Sequence, residues 1–283
     1  MKNVIKLFLA VCLIFNFSPS QAQKKVKSPS HEKGVKAGKH HKGGAGSTNA
    51  GEIKNVILVH GAFVDGSGWK PVYEILVKSG YKVTIVQQPL TSFAADVAAV
   101  KRVIALQDGP CVLVAHSYGG AIITEAGNDP KVEALVYIAA HAPDKGESEG
   151  GNGKKYPSAY KSLKKGADGF DYIEPANFHA DFAADLPADK ADFEANAQMP
   201  AADAVFHAII EQPAWRTKPS WYMVAKSDRI INPDLERLYA KRAKSTKVEI
   251  EGASHSVYES HPKEVAKLIK EATKQSNKQA NNK

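Results

Sequence analysis

A serine with small residues two places on either side is the point in the chain best suited to chemistry. Residues 112–120 read Val-Leu-Val-Ala-His-Ser-Tyr-Gly-Gly. The strand-forming run stops at Ser117, with Ala115 two places before it and Gly119 two places after. A sharp strand-to-helix turn that lifts one hydroxyl clear of a sheet edge needs such neighbours, because larger side chains would collide inside it. Ala115 stands where the usual pattern has Gly and adds one methyl group. A serine hydroxyl is a weak nucleophile at neutral pH. It needs a neutral imidazole to take its proton and a carboxylate to hold that imidazole in the right tautomer.

Both partners lie downstream. Residues 219–225, Pro-Ser-Trp-Tyr-Met-Val-Ala, read as a strand, and Asp228 follows its end. Residues 247–250 read as a second, short strand, followed by the loop Gly252-Ala253-Ser254-His255. Groups just past strand ends project from the sheet edge that would carry Ser117. Asp144, beyond the apolar run Ala134 to Ala140, is the rival for the acid, since that role can sit one strand earlier. A developing oxyanion needs donors as well. The backbone N–H of Tyr118, directly after the serine, is one candidate. The N–H of Ala62, in the loop that closes Val56-Ile57-Leu58-Val59-His60-Gly61-Ala62-Phe63, is the other. His60 reads as a structural residue of that loop, His116 as lining the site or packing beside it, and His141 as a pocket-lining residue. Asp65, before Gly66, is a turn residue, and Trp69 belongs to the core.

The order Ser, Asp, His resembles that of the α/β-hydrolase superfamily. Within it, His-Gly-Ala-Phe-Val-Asp-Gly-Ser-Gly-Trp, Ala-His-Ser-Tyr-Gly-Gly, Ala-Pro-Asp-Lys-Gly-Glu-Ser, Ser-Asp-Arg-Ile-Ile-Asn-Pro and Ser-His-Ser-Val-Tyr-Glu-Ser-His-Pro carry the likeness. They resemble a group of small bacterial esterase-like hydrolases, similar to plant methylesterases and hydroxynitrile lyases. The resemblance covers residues 53 to about 272. It implies hydrolysis of a small-molecule carboxylic ester without a cofactor or metal. Ser117 would be the nucleophile, His255 the base, Asp228 the acid, and Ala62 and Tyr118 the oxyanion donors. Lyases of this type have Thr where Gly61 stands and Lys where Ser256 stands, so two positions depart from that branch. Two other classes stay open to the sequence. One is non-hydrolytic chemistry on the same scaffold, a C–C lyase or perhydrolase. The other is a ligand-binding protein with negligible turnover.

The elements that must position these residues alternate. Apolar strand-like runs at 53–60, 81–86, 111–115 and 132–139 are separated by stretches with helical spacing, such as Val72, Ile75, Leu76 and Phe93, Val97, Val100, Ile104. This predicts an α/β fold, a doubly wound, mostly parallel sheet with helices on both faces. Such sheets place their sites at the strands' carboxyl ends. Between Ala142 and about Lys218 the alternation lapses, and an inserted helical cap over the site is expected there. Phe178, Phe182, Phe193 and Phe206 would serve its core or the pocket. Val265, Leu268 and Ile269 mark a last helix, expected to fray from Lys270 onward.

The amino terminus reads differently. Lys2 and Lys6, an apolar stretch from Leu7 to Phe17 and Ser20-Gln21-Ala22 make residues 1–22 an expected signal peptide. The stretch is too short for a bilayer, which needs about 20 residues. The protein is therefore expected to be exported, periplasmic or secreted. Residues 23–52 are rich in Lys, His, Gly and Ser and are expected to form a disordered linker before the hydrolase domain, 53–283. Residues 1–52 hold nine Lys and two Glu, a net +7 of the chain's +8. The basic balance thus describes the leader and linker, which could touch an anionic envelope surface, and gives no nucleic-acid signature to the domain. His31, His40 and His41 could catch a metal ion, but a flexible His-rich tract binds one weakly, so no metal site is expected there. The linker leads into a domain whose one cysteine, Cys111, reads as a packing residue.

Overall fold

The strand β1 (Asn55–Val59) is buried along its whole length, as expected of a strand inside a parallel sheet covered on both faces. The computed structural model describes residues 52–280, and the expected signal peptide and all but the last residue of the expected linker lie outside them. After β1 the chain runs through α1 (Lys70–Lys78), β2 (Lys82–Val86), α2 (Phe93–Ala105), β3 (Cys111–Ser117), α3 (Gly119–Ala126) and β4 (Val132–Ala140). An insertion follows, with α4 (Glu149–Lys155), β5 (Leu163–Lys165), β6 (Phe170–Ile173), α5 (Pro175–Phe182), α6 (Ala188–Ala197) and β7 (Ala201–Ala202). The chain then returns to the sheet with β8 (Ser220–Ala225), α7 (Pro233–Arg242), β9 (Thr246–Ile250), α8 (Val257–Ser260) and α9 (Pro262–Ala280).

The main sheet has the order β2-β1-β3-β4-β8-β9, and all its pairs are parallel. Successive side chains leave a strand on opposite faces. Ile57, Val59, Leu113, Ala115, Tyr137 and Val224 accordingly pack on one side with Ile122 of α3 and Leu235 of α7. Val56, Leu58, Val112, Val114, Val136 and Met223 pack on the other with Leu76 of α1 and Leu268 of α9. The chain steps outward from β1 to β2 and then crosses back to β3, so the winding reverses between β1 and β3. At such a reversal the loops leaving the two strands diverge and open a crevice. Cys111, at the start of β3, is buried, and burial pushes its thiol up to about 12, so it is an inert packing group.

Two details go beyond the sequence reading. The cap holds helices α4 to α6 but also a small antiparallel sheet, β5-β6-β7. The last helix does not stop at Lys270 but continues to Ala280, because residues 270–280 contain neither Gly nor Pro.

Cap helix α6 is clamped to the body by charge. Lys190 Nζ lies 2.5 Å from Glu259 Oε2 of α8 and 3.8 Å from Glu194 Oε1. Burial, and then the neighbouring Glu259 charge, push the Glu194 carboxyl up to about 8, and Lys190 offsets part of this. The Asp65 charge acts in the same sense as Glu259, more weakly. A carboxyl that keeps its proton in the fold but loses it in the unfolded chain near 4.5 makes stability fall as pH rises between those values. Glu194→Gln is therefore expected to flatten the decline of the melting temperature between pH 5 and 8.5. Identical melting-temperature profiles for the two proteins would contradict this assignment.

Candidate active site

Ser117 ends β3 with φ +53, a left-handed conformation that costs a β-carbon-bearing residue of order 1–3 kcal/mol and recurs at functional sites. The surroundings hold this turn in place. A β-carbon on Gly119 would come 2.5 Å from the His60 carbonyl oxygen, and one on Gly120 would overlap the His141 carbonyl oxygen. The next strand bends to match. Ser117 pairs with Ala140 where the register predicts Ala139, leaving Ala139 as a bulge with φ +42. Beyond the bulge the His141 N–H donates to the Ser117 carbonyl oxygen at 3.1 Å, which fixes His141 beside the turn.

Asp228 follows β8 and is buried. Its Oδ1 accepts from the backbone N–H groups of Ile230 at 2.7 Å and Ile231 at 2.9 Å. Its Oδ2 accepts from His255 Nδ1 at 2.6 Å. A carboxylate oxygen can only accept here, so the Nδ1 proton is fixed and Nε2 is left with its lone pair. That Nε2 is buried and has no hydrogen-bond partner among the described residues. The rival acid, Asp144, is committed elsewhere. Burial alone would raise its pKa, but the hydrogen bond from Arg216, at 2.6 Å, holds it below the usual carboxylate range. The structure thus joins Asp228, and not Asp144, to His255. Beside Asp228, Glu236 is fully buried and accepts from Ala225 N at 3.2 Å. Burial, then the Asp228 charge, keep its carboxyl well above the ordinary range.

The His255 loop is held from three sides. His116 Nε2 donates to the His255 carbonyl oxygen at 2.9 Å, and the two rings lie 4.5 Å apart. Phe182, at the end of cap helix α5, stands edge-on to His255 at 4.7 Å. Ser256 N donates to the Phe182 carbonyl oxygen at 3.1 Å. His116 itself is fully buried, and burial, then the nearby His255, keep its pKa well below the ordinary value, so it is a neutral spacer. His60 is also neutral. Burial lowers it to about 4, although the hydrogen bond to the Gly61 carbonyl oxygen, at 2.8 Å, pulls the other way. Gln88 Nε2 donates to the His60 carbonyl oxygen at 2.6 Å, tying the β1 loop down.

Ser117, Ala62, Phe63 and Tyr118 line a cavity of about 260 Å³. Phe206 lies 5.8 Å from Phe63 and 5.9 Å from Tyr118, ring centre to ring centre. Tyr160 and Ile230 add apolar wall, and His141 and Glu149 add polar groups. Phe178 and Phe182, by contrast, stack at 4.7 Å and are fully buried in the core, while Phe193 is exposed.

Two site residues escaped the sequence reading. Asp96 of α2 is buried, receives the Tyr118 hydroxyl at 2.7 Å and the Leu90 N–H at 2.9 Å, and so positions Tyr118. Its signal was an acid on the same helical face as Phe93 and Val100, an apolar stripe. Glu149 carried no such signal. Ser148 caps α4 and Glu149 sits in its first turn, the pattern of an exposed helix start.

The sequence pattern of the alpha/beta hydrolase family matches residues 56–268, and the chain belongs to that family. A carbendazim-hydrolyzing esterase from Nocardioides sp. (strain SG-4G) is 34% identical over 112 residues, covering 34% of this chain and 46% of that protein, so the match spans about half of the relative's length. Among solved structures, a pyrethroid hydrolase from Sphingobium faniae JZ-2 superposes with a TM-score of 0.68 at 21% identity, over 81% of this chain and 99% of that one. A methylesterase from Arabidopsis gives 0.65 at 18% identity, over 78% and 98%. At these identities the likeness establishes the fold.

Proposed function

We propose that this hydrolase cleaves small, uncharged carboxylic esters through a serine nucleophile and an acyl-enzyme, without a cofactor. One observation carries the reading: a serine strained at φ +53 shares its sheet edge with an imidazole whose Nδ1 is fixed by a buried carboxylate and whose Nε2 has no partner. Ser117 Oγ attacks the ester carbonyl carbon while its proton passes to His255 Nε2. Asp228 balances the imidazolium charge. The oxyanion meets the N–H groups of Ala62 and of Tyr118, the latter at the amino end of α3, where the helix dipole favours negative charge. The carbon–oxygen bond breaks, and the alcohol leaves with the proton from His255. Water then gives its proton to His255, attacks the acyl carbon and frees the acid, returning the proton to Ser117.

The cavity's volume and aromatic walls favour a compact ester with a flat or branched apolar group. The names of the relatives, an esterase, a pyrethroid hydrolase and a methylesterase, support ester hydrolysis without choosing the ester. Treating the full chain with a fluorophosphonate and locating the adduct by peptide mass tests the mechanism. The expected result is a single adduct on Ser117. A folded protein that stays unlabelled, or carries its adduct elsewhere, would overturn it.

A further inference from the structure

Behind the cavity a chain of hydrogen bonds has its direction set from one end. Arg242 makes a two-pronged contact with Glu147, through Nη1 at 2.8 Å and Nη2 at 2.9 Å. Glu147 is therefore a carboxylate and can only accept. Its partner Asn152 must then present its amide nitrogen, which donates to Glu147 Oε2 at 2.9 Å and to the Tyr239 hydroxyl oxygen at 3.1 Å. The Tyr239 hydroxyl keeps its proton to donate, and His141 Nδ1 lies within its reach at 3.4 Å. With Nδ1 accepting, the His141 proton sits on Nε2, which faces Glu149 Oε2 at 3.7 Å. The other carboxyl oxygen, Oε1, is buried and has no hydrogen-bond partner among the described residues.

Glu149 lines the same cavity as Ser117. Among the described residues that line the cavity, no lysine or arginine is free to pair with it. Lys165, also on the cavity wall, is bound to Asp171 and Asp203. Burial pushes the Glu149 carboxyl well above the ordinary range and lowers His141 to about 3, so burial favours the neutral form of both. A neutral carboxylic acid is a hydrogen-bond donor, and the buried Oε1 of this one has no partner among the described residues. Leaving such a buried group unpaired is costly, and a site built around one discriminates against ligands that cannot complete it.

We propose that Glu149 is a specificity residue that donates a hydrogen bond to an uncharged accepting heteroatom, a ring nitrogen or a second carbonyl oxygen, on the aromatic portion of the substrate. The enzyme would then select polar-substituted aryl esters over their hydrocarbon counterparts. This rests on the ester-hydrolase reading of the cavity.

The test compares matched pairs at pH 8, where pyridine is uncharged. Benzyl acetate is set against the pyridin-3-ylmethyl and pyridin-4-ylmethyl acetates, and methyl benzoate against methyl nicotinate and methyl isonicotinate. The readout is the ratio of kcat/KM within each protein, so a general loss of activity cancels. Wild type is expected to favour at least one pyridyl ester about tenfold, the size of one good hydrogen bond. Glu149→Leu should bring that ratio to within about twofold of unity, and Glu149→Gln, which keeps a neutral donor and the shape, should retain several-fold preference. A wild-type ratio near one for every pair, or a preference that survives Glu149→Leu, would overturn the proposal. Calorimetric binding of 3-acetylpyridine against acetophenone asks the same question without turnover. Glu149-dependent preference for the pyridine in a protein that hydrolyses neither ester would keep the specificity role and reject the hydrolase reading. Tighter binding of an N-methylpyridinium analogue than of the pyridine would reveal an ionised Glu149 and reject the neutral donor.

Discussion

Ser117→Ala is expected to lower kcat for a simple aryl ester by about four to six orders of magnitude, with little change in melting temperature. Without the hydroxyl no acyl-enzyme can form, and only the oxyanion donors and substrate binding remain, which leave a small residual rate over water. The fold should tolerate the change for a specific reason. Alanine and serine both carry a β-carbon, so both bear the same strain at φ +53, and the glycines that accommodate the turn are untouched. The hydroxyl makes no hydrogen bond that the fold depends on among the described residues, since the contacts holding the turn are backbone ones, such as His141 N to the Ser117 carbonyl. Steady-state kinetics and a thermal melt of the same sample check both halves. A folded variant retaining a tenth of the wild-type rate would mean that Ser117 is a turn residue and that the chemistry lies elsewhere.

The parts of the fold that follow from periodicity were legible in the residues. Strands β1, β3 and β4 are buried on both faces, so each reads as a nearly continuous apolar run, and the family assignment agrees with the sheet that such runs predict. The cap strands were not legible. β5 is Leu-Lys-Lys and β7 is two alanines, too short to show an alternation, and they exist because they pair with β6. Helix α7 was also missed, because its apolar positions, Leu235, Leu238 and Tyr239, make only one short stripe in a charged segment.

Site residues divide along the same line. Ser117, Asp228 and His255 are visible because their order and their places after strands carry information. Asp228 and His255 meet in the structure, whereas the choice between Asp228 and Asp144 needed Arg216, which lies 72 residues beyond Asp144 in sequence. Glu149 shows the limit most clearly. Its burial is created by where the cap sets α4 over His141, a tertiary event with no local signature, and the local pattern points the opposite way.

Asp228→Asn separates the charge of the proposed triad acid from its place, and it is expected to lower kcat by about 10³- to 10⁴-fold. The argument turns on which way the new amide would face. The carboxylate serves three donors: Ile230 N and Ile231 N on one oxygen and His255 Nδ1 on the other. An amide has one oxygen to offer. Turned toward His255, it would set its NH₂ against two backbone N–H groups and leave both unsatisfied in a buried place. Turned toward the backbone, it keeps both of those bonds, each worth about 1 kcal/mol, and presents NH₂ to His255. The second arrangement satisfies more donors, so His255 Nδ1 must become an acceptor and its proton moves to Nε2. The base would then have no lone pair for the Ser117 proton. Two measurements are needed: kcat, and the imidazole ¹⁵N shifts that report which nitrogen is protonated. Loss of rate together with an Nε2–H tautomer would establish that Asp228 acts by fixing the tautomer. Loss of rate with the Nδ1–H tautomer intact would show instead that its negative charge, balancing the imidazolium, is the larger contribution. A rate near wild type would remove Asp228 from the mechanism.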